Sequence, residues 1–96
     1  MTVPVGVLFL HISLGDTRTL KEKRSIIQPI MHQLRKEFNL SVAETGLLER
    51  HNEAEITCCM VANDRAFLQQ ALSKVIVWIE ESFRHIEILE YRIELR

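Results

Sequence analysis

The side chains of this 96-residue chain that could do chemistry are four histidines, two adjacent cysteines, a few hydroxyls beside cations, and a dense set of Lys and Arg between positions 18 and 36. His11, His32, His51 and His85 have no short ligand spacing, whereas zinc sites draw their donors from closely spaced pairs, so no metal is expected. Cys58 and Cys59 are neighbours in a strand-like run and point to opposite faces, the wrong arrangement for a redox CxxC or a zinc half-site; they read as small buried side chains. Thr19 and Ser25 lie near cations but lack the oriented base that nucleophilic catalysis requires. A single Gly15 follows the first apolar run, where a phosphate-cradling enzyme of the acylphosphatase type would need a glycine-rich loop and an Arg. No catalytic residue and no cofactor are therefore expected.

The cations remain. The segment LKEKRSIIQPI opens a helix, yet puts Lys21, Lys23 and Arg24 in its first turns, where the helix macrodipole is positive and disfavours them. At about 100° per residue, Lys21, Arg24, Gln28, His32, Arg35 and Lys36 share one ridge of that helix, with Glu22 and Glu37 away from it. Such a ridge runs about 25 Å, long enough to follow several phosphates of a nucleic-acid backbone by charge alone. Lys23 differs from its neighbours. It falls inside the apolar stripe, four before Ile27, so its stem should lie on the core and its ammonium should reach the rim, where Glu44 is expected to pair with it.

The elements that position these groups follow from periodicity. Residues 3 to 14 are apolar on both faces, as a central strand is. Thr19, three before Glu22, makes a T-x-x-E capping box, and Leu20, Ile27, Ile30, Met31, Leu34 and Phe38 continue as a helical stripe. The stripe stays in phase beyond Pro29, so the proline predicts a kink and not a stop. LSVAET, 40 to 45, is a short strand, and 46 to 52 a polar connection. A second strand apolar on both faces covers 54 to 63, and Asn63 with Asp64 caps a helix carrying Leu68, Leu72, Val75, Ile79 and Phe83. The tail IEILEYRIELR alternates as a half-buried strand.

The order βαββαβ with right-handed crossovers gives a ferredoxin-like α/β sandwich of one domain, residues 1–96, with antiparallel sheet order 4-1-3-2 and both helices on one face. In that topology the end of strand 1, the start of helix 1, the loop between strands 2 and 3 and the end of helix 2 meet at one rim. They bring Arg18, Lys21, Lys23, Arg24, Arg50, His51, Arg84 and His85 together against Asp16, Glu22, Glu44 and Glu49. Two central strands apolar on both faces also predict an apolar patch on the open side of the sheet, and a homodimer through it.

Net charge is −1, so anion binding has to come from local clustering and not from an overall field. The apolar run near the N-terminus is too short to span a membrane, is interrupted by Gly6 and His11, and lacks a basic leader; a cytoplasmic protein without a membrane partner is expected.

T-L-K-E-K-R at 19 to 24, S-V-A-E at 41 to 44 and the strand-ending N-D at 63 and 64 together resemble the YlxP-like family of small bacterial proteins of unassigned function, over nearly the whole chain. The resemblance implies a ferredoxin-like fold and, from the company its genes keep, a role near RNA or the ribosome. It implies no catalytic residue. The chain departs from the family in the loop of Glu49, Arg50, His51, Asn52 and Glu53, and at Pro29. The first functional reading is a non-enzymatic protein that contacts RNA or a ribosomal particle through Arg18, Lys21, Lys23, Arg24, His32, Arg35, Lys36, Arg50 and His51. The alternative is a dimeric regulatory or adaptor module binding a small anionic ligand or a partner protein.

Overall fold

The structure, a computed structural model, describes residues 3–96. Its elements run β1 (Val5–Ser13), α1 (Leu20–Phe38), β2 (Ser41–Gly46), β3 (Glu53–Val61), α2 (Arg65–Ser82) and β4 (Glu87–Leu95). The sheet is antiparallel throughout, in the order β2-β3-β1-β4, which is the ferredoxin-like order expected from the sequence.

Alternation explains the layers. Leu8, Leu10 and Ile12 of β1 lie opposite Cys58, Ile56 and Ala54 of β3, and all six are buried beneath the helices. Ile27, Ile30 and Leu34 of α1 and Leu68, Leu72, Val75 and Ile79 of α2 close the other side of this core. An edge-to-face aromatic chain joins the two helices, with ring centroids 5.4 Å apart for Phe38 and Trp78 and 5.5 Å for Trp78 and Phe83.

Local chemistry sets the helix ends. Thr19 caps α1 by accepting from the Glu22 amide at 3.1 Å, and its hydroxyl lies 3.3 Å from the Glu22 carboxylate. Only half of the expected capping box forms, since the Glu22 side chain meets the hydroxyl and not a backbone amide. Asn39 ends the helix in the left-handed conformation, φ 51°, which Asn tolerates better than most residues. The helix is continuous through Pro29, whose ring lies on the exposed face. Asp64 caps α2 by accepting from the Ala66 amide at 2.9 Å. Gly15, at φ 67°, makes the sharp turn that leads β1 into α1.

The open face of the sheet is divided. Val5, Val7, Phe9, Cys59 and Val61 give one half an apolar strip, while Glu53, Glu55, Glu87 and Glu90 surround His11 on the other. The apolar patch expected across this face is therefore confined to half of it. Cys59, expected to be buried, is half-exposed there because no layer covers that side of the sheet; Cys58 is buried.

Candidate functional site

At the rim where β1 ends and α1 begins, the most enclosed charged group is Lys23, only 2% exposed. Its position on the buried stripe of α1 aims the side chain under the β2–β3 turn. There the ammonium donates to the carbonyls of Leu47, at 2.8 Å, and Arg50, at 2.6 Å. Glu44 Oε2 lies 2.7 Å from the same nitrogen, yet outside hydrogen-bond alignment and with no other partner, so the contact is one of charge. Two carbonyls thus take two of the ammonium's three donors, and the carboxylate balances its charge. Leu47 has a positive φ of 56°, uncommon for a residue with a branched side chain, and the bond from Lys23 holds that turn in place.

The same turn is tied to the β1–α1 loop. His51 Nδ1 lies 2.8 Å from the Thr17 carbonyl oxygen, and the buried Thr17 hydroxyl donates to Leu14 at 2.8 Å. Arg50 pairs with Glu53 at 2.6 Å. Glu53 also holds His11 at 2.5 Å, and that hydrogen bond, with the Arg50 charge beside it, keeps its carboxyl below the usual carboxylate range against the opposing effect of burial. This His11–Glu53 link had no sequence signal, because it runs diagonally between strands far apart in the chain.

The nine cations expected to gather as a binding surface therefore separate into two groups. Lys23 is withdrawn into the fold, Arg50 is neutralised by Glu53, and His51 is engaged by a backbone carbonyl. Arg35 reaches across to donate to the Val42 carbonyl at 2.7 Å, on the outer edge of β2. Arg18, Lys21, Arg24, His32 and Lys36 remain exposed, and among the described residues none lies within 4.0 Å of a carboxylate. All but Arg18 stand on the ridge of α1 turned away from the buried Lys23, Ile27, Ile30 and Leu34. The remaining rim cations, Arg84 and His85, are exposed, and His85 sits edge-on to Phe83 at 6.3 Å.

The open face offers a depression of about 210 Å³ lined by Phe9, His11, Thr45, Thr57, Glu55, Glu90 and Arg92 among others. Arg92 lies over the Phe9 ring at 4.4 Å, covering the aromatic that the central strand presents on this face. The charged groups lining the depression are mixed, Glu55 and Glu90 with His11 and Arg92. Among the described residues no group of three or more His, Cys, Asp or Glu side chains is placed to hold a metal, and no helix is long and apolar enough to cross a membrane.

These features define a ferredoxin-like sandwich with a buried lysine pin at one rim and a solvated basic ridge beside it. The chain belongs to a protein family of unknown function, DUF503, which matches residues 5–93. It is 29% identical over 83 residues to the uncharacterized protein YlxP of Bacillus subtilis (strain 168), covering 86% of this chain and 89% of that one. Among solved structures, the de novo designed protein Foldit4 superposes with a TM-score of 0.54 at 15% identity, over 97% of this chain and 96% of its own. Part of a VAO-type flavoprotein from Myceliophthora thermophila also superposes, with a TM-score of 0.60 at 15% identity, over 98% of this chain but 16% of the flavoprotein. Both likenesses are of fold alone.

Proposed function

We propose that this protein is a non-enzymatic binding module that docks the phosphate backbone of RNA, as on a ribosomal particle in the cytoplasm, along the outward ridge of α1. The observation that carries the reading is the placement of Arg18, Lys21 and Arg24. They crowd the N-terminal end of α1, where the macrodipole opposes them, and they are exposed without a carboxylate within 4.0 Å. Helix stability alone favours acidic residues there, and the first turn holds only Glu22. The unsatisfied amides of the helix start add to the same positive potential, which is the environment a phosphate group selects. His32 and Lys36 extend it along the helix.

Binding of this kind reads the backbone and not the bases. Phe9, the aromatic on the central strand, is occupied by Arg92, and the rest of the open face is acidic on one half, so a stacked base has no platform. The test is association with rRNA fragments at increasing salt, for the parent and for Lys21→Glu with Arg24→Glu. The double variant should lose binding while keeping its fold by circular dichroism; RNA association equal to the parent's would refute the reading.

A further inference from the structure

The two edges of the sheet are unequal. The β2 edge is six residues long, and its outward Val42 carbonyl is already taken by Arg35. The β4 edge is nine residues long, pairs with β1 on one side, and has no strand on the other among the described residues. Long, unguarded edges are templates for pairing with another strand.

The backbone of β4 is set out for that pairing. Arg96 and Val5 exchange both of their N–H···O bonds at 2.8 Å. By antiparallel alternation Arg96, Glu94, Arg92 and Glu90 then aim their peptide groups at β1, and Leu95, Ile93 and Tyr91 aim theirs outward. We propose that a second copy of this chain occupies the edge, β4 against β4 around a two-fold axis at Ile93, joining two sheets into one of eight strands.

Charge selects that register. With Ile93 opposite its own counterpart, Arg92 faces the partner's Glu94, Glu90 faces the partner's Arg96, and each pair occurs twice by symmetry. Tyr91 faces the partner's Leu95 on the helix side, and about six new backbone hydrogen bonds form. Sliding the axis to Arg92 would set that arginine against itself and Glu90 against the partner's Glu94. Sliding it to Tyr91 would bring in the irregularity of β4 opposite His11 and Ile12, where the pairing register shifts.

Burial adds a second argument. On the helix side, Val77, Leu89 and Tyr91 are 51%, 47% and 55% exposed, and they line one groove with Ile76 and Ile88 along this same edge. An added strand would cover it. The homodimer expected from the apolar strands is thus better specified along this edge, where opposite charges meet, than on the open face, half of which is acidic.

Sedimentation of the full chain at concentrations around 100 µM tests this. The parent should sediment as a dimer. Arg92→Glu and Glu94→Arg should each associate about tenfold more weakly, because two facing pairs become like-charged, and an equimolar mixture of the two variants should recover the dimer by restoring opposite signs. Tyr91→Glu, on the helix side and exposed, should also weaken the dimer. A monomeric parent overturns the proposal, as does a Tyr91→Glu protein that dimerises like the parent, which would place the contact on the open face. A mixture no stronger than the single variants overturns the register.

Discussion

The Lys23 ammonium and the Glu44 carboxylate lie 2.7 Å apart beneath the β2–β3 turn, with the ammonium also bonded to the Leu47 and Arg50 carbonyls. This arrangement fastens α1 to a hairpin that comes back to it more than twenty residues later in the chain, next to the ridge proposed to bind RNA. A buried ion pair of this kind is better judged by what its loss leaves behind than by its own attraction.

Lys23→Met should destabilise the fold by about 3 kcal/mol, because it strands Glu44 and two carbonyls at once. Glu44→Gln, which leaves both carbonyl bonds intact, should cost about 1 kcal/mol. Urea unfolding midpoints check both, and a Lys23→Met midpoint equal to the parent's would show that the pin contributes nothing.

RNA affinity should fall steeply with salt. Four or so phosphate contacts on a single strand give a slope of about −3 in log affinity against log salt, or roughly fifty-fold between about 50 and 200 mM. His32→Ala with Lys36→Ala should flatten that slope without abolishing binding. Arg35→Ala should act mainly on stability, since its guanidinium is committed to Val42.

Stability should decline on acidification through Glu53. Its folded carboxyl is held below the ordinary value of 4.5, by the His11 hydrogen bond first and then by Arg50 against the cost of burial. The unfolded chain therefore takes up this proton more readily. The contribution is complete above the ordinary carboxylate range and is lost as pH falls through the depressed folded value. Glu94, held low by Arg96 and Arg92, acts in the same sense. Urea midpoints measured from about pH 6 to about pH 3 should fall less in Glu53→Gln than in the parent.

The two cysteines should differ sharply in reactivity. Cys58 is buried, and that burial, with Cys59 beside it, pushes its thiol up to about 12, leaving almost no thiolate at neutral pH. Cys59 is half-exposed on the open face. A maleimide at neutral pH should add once to the folded protein and twice in denaturant, and a Cys59→Ser protein should stay unlabelled until it unfolds.

Much of this molecule was written in its local patterns. Two strongly apolar strands, two helical stripes and the caps at Thr19 and Asp64 determine the elements, because periods of 2 and 3.6 residues set which side chains share a face. The chirality of crossovers then leaves few topologies, and the sheet order follows. The stripe also places Lys23 apart from Lys21 and Arg24, since one or two positions along a helix turn a side chain by about 100° or 200°. Tertiary structure decided which cations stay available. Arg35 and His51 find partners in Val42 and Thr17, and His11 finds Glu53, through contacts between elements that only the folded chain brings within hydrogen-bond reach, while Arg50 meets Glu53 three residues on. Periodicity records the direction in which a side chain leaves its own element, whereas its partner, and hence its charge state and freedom, depends on the packing distance and register of another.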